Sequence, residues 1–189
     1  MKIHRLRSTV ARPADNTAYA AGDEISNHAT AASVVRPIFN MAGFQQGRIL
    51  SAEIDLVAAS GNVVTTALDL ELLLFPTDDV PAAVGDNVTH PIAADIRAKA
   101  LGGFRFDDTG WTGPLGTVAA GTSQFQPVMA HLVQPLASPV AQFPHPPGFL
   151  FNLESKTTKS LTAVLRALGA WTPTGVVNTF GITLNLEAI

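Results

Sequence analysis

The stretch ILSAEIDLV, residues 49–57, decides the fold class. Leu50, Ala52, Ile54 and Leu56 alternate with Ser51, Glu53 and Asp55. A period of two gives one apolar and one polar face only in an extended strand. Ser60, Gly61 and Asn62 then supply a turn. The next run, VVTTALDLELLLF at 63–75, sets Leu68, Leu70, Leu72 and Leu74 on one face, with Asp69 and Glu71 on the other. Its end, Leu72 to Phe75, is apolar on both faces, so it is covered twice or sits at a contact. Pro76 stops it. The two runs read as an antiparallel pair.

The same alternation closes the chain. In NTFGITLNLEAI, residues 178–189, Phe180, Ile182, Leu184 and Leu186 share a face. Upstream, SLTAVLRAL at 160–168 alternates Leu161, Ala163 and Leu165 with Thr162, Val164 and Arg166, and GAWTPTG at 169–175 is the loop between them. This spacing predicts that the chain closes on a sheet pair. One segment reads as helical: HPIAADIRAKALGG, 90–103, has Pro91 in its first turn and ends at Gly102 and Gly103. It is a connector, and GGFRF (102–106) after it reads as a short strand. From 107 to 148 glycine and proline recur, and QFPHPPGF (142–149) is expected to be extended. Many short strands with Gly and Pro turns point to an all-β antiparallel sandwich or barrel. Residues 1–15 are expected to form a basic N-terminal arm. Residues 16–189 form the single domain, with an irregular loop region at 107–148.

Composition narrows the function classes. The chain has 189 residues and a formal net charge of −3, so nothing draws it as a whole to nucleic acid. It has no cysteine, which excludes disulfide frameworks, thiolate zinc sites and cysteine nucleophiles. No apolar run is long enough to span a bilayer as a helix. Charged residues make up only 14%, against about 25% in an ordinary globular domain. Depletion of charge marks surface that a partner covers, so the composition favours an oligomer or a lattice component. Lys2, Arg5, Arg7 and Arg12 lie near the N-terminus without the apolar core of a secretory signal. They are either a solvated terminal segment or a basic arm lying along an acidic neighbouring subunit.

Catalytic chemistry finds little purchase. His4, His28, His90, His131 and His145 are far apart, and no H-E-x-x-H, G-x-S-x-G or Walker loop is present. The acidic pairs Asp23–Glu24, Asp78–Asp79 and Asp107–Asp108 fit no calcium loop and read as solvated loop ends. No cofactor, metal or catalytic residue is expected. Trp111 and Trp171 lie in loops, where they either contact a ligand or pack over the ends of the sandwich.

One likeness runs along the chain. RPADNTAYAAGDEIS (12–26) resembles the start of a family of small structural proteins of tailed bacteriophages, in which a T-A-Y-A-A-G-D segment precedes the first strands. LDLELLLFPTD, GDNVTHPIAADIRAKALGGFRF and ALGAWTPTGVVNTFGITLNLEAI resemble later parts of that family in the same order. The region 127–148 has no counterpart. The resemblance implies a virion component: a head decoration or cement protein with a jelly-roll-like sandwich and no catalytic residues. It would assemble as a homo-oligomer, a trimer foremost, on the major capsid protein at the capsid surface, with no nucleic-acid or membrane partner. Lys2, Arg5, Arg7 and Arg12 on the arm, and Trp111, Phe143, His145, Pro146 and Phe149 in and beside the loops, are its candidate contacts. The rival readings are a virion-borne glycan or receptor-binding module using Trp111, Trp171 or the proline-rich loop, and a minor head–tail or tail protein. In the resembling segment, Tyr19 is expected to be a packed aromatic, Gly22 and Asp23 a turn, and Glu24 a solvated strand end.

Overall fold

Residue 54 and its neighbours do form a strand, and that strand organises half the molecule. The computed structural model describes residues 2–58, 63–64, 68–92, 96, 98–106, 116–117, 123–129, 149–173 and 177–188. Its strands are β1 (Ile3–Ala11), β2 (Glu24–Ile25), β3 (Ile38–Asn40), β4 (Gln46–Ala58), β5 (Val63–Val64), β6 (Leu70–Pro76), β7 (Gly102–Phe106), β8 (Gly116–Thr117), β9 (Ser123–Met129), β10 (Phe149–Asn152), β11 (Ser160–Ala167) and β12 (Asn178–Ala188).

Two antiparallel sheets result. The first has the order β1-β12-β4-β10, with β9 also on β4; the second has the order β2-β11-β6-β7, with β3 also on β11. The two central strands are served alike. β4 takes β12 along one side, and β10 (at 46–49) and β9 (at 51–57) end to end along the other. β11 takes β6 on one side, and β3 (at 160–162) and β2 (at 165–166) on the other. With the first strand beside the last, and the chain crossing repeatedly between the two sheets, the connectivity is that of a jelly-roll sandwich. β5 and β8 form a separate two-stranded ladder.

The core lies between the inner faces. Ile49, Ala52, Ile54 and Leu56 of β4 and Phe180, Ile182, Leu184 and Leu186 of β12 oppose Leu70, Leu72 and Leu74 of β6, Leu161, Ala163 and Leu165 of β11, and Phe104 and Phe106 of β7. Each side chain of this size contributes about 1.5–3 kcal/mol when taken fully from water. The two-faced apolar end of β6 is covered twice. Its outer side, Leu73 and Phe75, joins Val164 and Ala100 in a second cluster, against which Val80, Ile92 and Ile96 pack.

Several expectations are corrected by the pairing. The runs 49–57 and 63–75 are not a pair, because β4 and β6 belong to opposite sheets and meet through their side chains. β11 and β12 divide between the sheets in the same way. Alternation reports which face is buried; it does not report which strand lies alongside. Leu50 was expected inside, yet Ile49 is fully buried and Leu50 only partly. The ladder to β12 steps from Ser51↔Asn185 to Ile49↔Leu186, so Leu50 is the extra residue of a β-bulge, and the inward face changes parity there. The basic arm is instead β1, paired with β12 through residues 3–11. Part of the irregular region is also regular, since Ser123–Met129 pairs with β4. Of the expected connector helix, 93–95 and 97 lie outside the described residues, as does most of QFPHPPGF; of the rest, 98 and 99 form a turn and Gly102 and Gly103 already belong to β7.

Candidate functional site

The outer face of the first sheet holds the basic residues expected to make contacts. β1 runs beside β12, so Arg5, Asn185 and Ser51 lie in one row across three strands, and Arg7, Thr183 and Glu53 in the next. Arg5 pairs with Glu53. Arg7 reaches across β12 to Asp55, giving one bond to each carboxylate oxygen. The crossing point is Gly181, where a Cβ would meet the Arg7 guanidinium and the Asp55 carboxylate. Hydrogen bonding to Asp55 raises the Arg7 guanidinium further above its already high pKa. Lys2 is exposed and makes no ion pair among the described residues.

Two other expected contacts are turned inward. Arg12 has a fully buried side chain. Its Nε donates to the Tyr19 hydroxyl (3.1 Å), and its Nη2 donates to the carbonyl (3.0 Å) and carboxylate (2.8 Å) of Asp15. Its guanidinium carbon lies 5.7 Å from the ring centres of both Tyr19 and Trp171. Phe149 is 8% exposed and packs 5.5 Å from Phe104. Neither presents surface to a neighbour, because each completes the interior of its own chain. Trp111, Phe143, His145 and Pro146 lie outside the described residues.

The opening segment 12–26 builds a buried polar cluster that periodicity could not disclose. Tyr19 packs as expected: it is buried, bridges to Trp171 and stacks on it at 5.0 Å. Its hydroxyl donates to Asp86 at 2.7 Å, and the Ser26 N–H donates to the same carboxylate at 2.8 Å. Burial pushes the Asp86 carboxyl above the usual range; the bonds from Ser26 and Tyr19 oppose this only in part. Burial, with the Asp86 charge, also drives the Tyr19 phenol far above its ordinary value. Gly22, with φ of 97°, makes the expected turn.

Glu24 is a correction. Instead of ending a strand in solvent, it is 1% exposed. It accepts two bonds of 2.7 Å from Arg36 and one of 2.6 Å from His90 Nδ1. Nδ1 must carry the hydrogen here, since an ionised carboxylate only accepts. Burial alone would raise the Glu24 carboxyl; the bonds and charges of Arg36 and His90 outweigh it and hold the group below the ordinary range. Asp23, also buried, accepts from the Ala20 N–H and the Thr89 hydroxyl. Together these bonds fasten the segment 80–90 to the segment 22–28. The cluster's charged groups are spent on internal partners and shielded from solvent, so it is equipped to brace the fold and offers no reacting atom to a substrate. Among the described residues no group of three or more His, Cys, Asp or Glu could hold a metal.

Sequence spacing could not bring together Glu24, Arg36 and His90, which share no pattern and meet only in the fold. The one available signal was that Asp23 and Glu24 are charged in a chain with few charges.

Arg36 has a second role. Its remaining N–H groups donate to the carbonyls of Pro81 and Ala82, fixing one wall of an open groove of about 430 Å³. Val34, Val35, Ile38, Val80, Ala83, Thr77 and Thr162 line the rest of it. Val35 is 65% exposed and Ile38 50%. The groove is apolar, and its one cation is already neutralised by Glu24.

No known family model matches the chain, and no curated protein does. Among solved structures it is similar to a chain of the native virion of Kashmir bee virus at neutral pH, with 10% identity over 98% of this chain and 72% of that one, at a TM-score of 0.32. It is similar to the decameric BFDV capsid protein, with 12% identity over the whole of both chains and a TM-score of 0.29. A third similarity is to the semi-empty particle of the giant freshwater prawn nodavirus, with 11% identity over 99% of this chain and 93% of that one, at a TM-score of 0.26. The jelly-roll assignment itself rests on the strand pairings.

Proposed function

We propose that this chain is a virion structural protein, a decoration or cement protein that binds the outer lattice of a tailed-phage head and stabilises it. Its partners are the major capsid protein and further copies of itself, a trimer foremost. Its place is the capsid surface. The resemblance of residues 12–26 and of the three later segments names the class, and the jelly-roll sandwich agrees with it.

The observation that carries the reading is the division of surface and interior. Carboxylates and guanidinium groups that could serve chemistry are locked together inside, while an apolar groove with Val35 and Ile38 at its lip stands open. A protein built this way acts by contact, and a stable contact covers about 800 Å² on each partner. The glycan reading draws on Trp111, Trp171 or the proline-rich loop; Trp171, 8% exposed between Tyr19 and Phe180, offers no open platform, while Trp111 and most of that loop lie outside the described residues.

Quantitative mass spectrometry of purified particles tests the proposal. A cement protein is present at a copy number close to that of the capsid subunits or a simple fraction of it. Absence from the particle overturns the proposal, and a copy number near a dozen moves the chain to the head–tail connector.

A further inference from the structure

β1 is the outermost strand of the first sheet, and no further strand of that sheet pairs with its outer edge among the described residues; β3 of the other sheet lies near its Ser8. In an antiparallel ladder every second residue turns its N–H and C=O away from its partner. Among the described residues no backbone group bonds to those on β1; the one bond from that side joins the Ile38 N–H to the Ser8 hydroxyl. Natural edges of this kind are guarded by prolines, bulges, short length or charges that face the incoming strand. β1 pairs in unbroken register through residues 3–11 and has no proline. Its potential guard, Arg7, is drawn back over Gly181 and held by both oxygens of Asp55. The inward residues His4, Leu6 and Ser8 are only partly buried, as a flank awaiting a neighbour would be.

We propose that the open edge of β1 takes an extended, acidic segment of a different polypeptide as an added strand. Charge selects the occupant. Residues 2–12 contain Lys2, Arg5, Arg7 and Arg12 and no acid. Arg12 is buried, but Lys2 makes no ion pair among the described residues, and Arg5, though paired with Glu53, is 62% exposed. A second copy pairing about Arg7, the middle of β1, would set Arg7 opposite Arg7, and like charges directly opposite repel. An alternating strand with carboxylates on its outer face meets Arg5 favourably, while its apolar residues cover Leu6; Lys2, just before the strand, adds positive charge at its end. Main-chain bonds supply affinity and the alternate side chains supply choice. This deepens the lattice reading, on which the partner's identity as a capsid subunit rests; the docking edge rests on geometry alone.

The test uses the isolated protein and two synthetic peptides, one alternating glutamate with valine and one alternating lysine with valine, read by amide hydrogen exchange. The glutamate peptide is expected to slow exchange at alternate amides of Ile3–Ala11, and the lysine peptide to do so far less. Lys2→Glu, which leaves every ion pair among the described residues intact, and Arg5→Glu are each expected to weaken binding by about fivefold to tenfold. Equal protection by both peptides, or by neither, overturns the proposal. Concentration-dependent protection without peptide overturns it in favour of a second copy. Neither failure alters the particle content measured by mass spectrometry, so the two readings fall separately.

Discussion

Replacing Glu24 by glutamine removes one charge from a site that is closed to solvent and leaves its shape. Arg36, with 8% of its side chain exposed, would then sit as a buried cation facing a neutral amide, and His90, 2% exposed, would lose its acceptor's charge. Removing one partner of a buried pair costs about 3–5 kcal/mol, because the remaining charge is uncompensated. A domain of ordinary stability holds about 5–15 kcal/mol in total, so the variant is expected to fold with a large part of its margin gone. Urea unfolding followed by tryptophan fluorescence measures this, with the slope unchanged if only the native state is affected. The double variant Glu24→Gln/Arg36→Leu removes the stranded charge as well, and is expected to be more stable than the additive sum by about 0.5–3 kcal/mol. Acid supplies a second arm. Because the folded-state pKa of Glu24 is held below its ordinary value, its stabilisation is complete above the ordinary carboxylate range and is lost as pH falls through the depressed value. The glutamine variant lacks that acid-dependent component. A Glu24→Gln cost below about 1 kcal/mol, near that of a solvated ion pair, would refute the view that this triad braces the fold.

Three further outcomes follow from neighbouring sites. Gly181→Ala places a Cβ against the Arg7–Asp55 crossing and is expected to cost about 1 kcal/mol in urea unfolding, but less in an Arg7→Ala background, where only the Asp55 carboxylate has to move. Tyr19→Phe removes the hydroxyl that donates to Asp86 and accepts from Arg12 Nε, at a cost of about 1–3 kcal/mol by thermal unfolding, while binding to particles is retained. Asp86 behaves oppositely to Glu24: its carboxyl is raised by burial, so its charged form burdens the fold at neutral pH and the burden lifts as pH falls through the raised value. Asp86→Asn is expected to remove that acid-dependent gain from a stability–pH curve.

Most strands were legible because each buries one face. The alternation in 49–57, 160–168 and 178–189 marked β4, β11 and β12 correctly as strands, and the doubly apolar end of β6 announced the second cluster formed by Leu73 and Phe75. Partnership was not legible, because β4 and β6 would show the same alternation whether paired in one sheet or opposed across a core. The bulge at Leu50 was hidden for a related reason: one inserted residue reverses the parity, and Ile49 and Leu50 are equally apolar. Charged residues misled most. Glu24 and Arg12 are types that usually remain in water unless paired, and their partners lie 12 residues away at Arg36, 66 away at His90 and 7 away at Tyr19. Nothing local marks such a pairing. The N-terminal basic residues read as an arm because charge was weighed above the alternation of Ile3, Leu6 and Val10, whose phase is broken by the shift from odd to even positions.

A cryo-electron-microscopy map of the intact particle tests the central claim most directly. The account predicts a jelly-roll density of this chain on the outer capsid surface, repeated with the lattice, with the groove lined by Val35 and Ile38 covered by a neighbour. A complete map of the head in which every outer density is accounted for by other chains would contradict it.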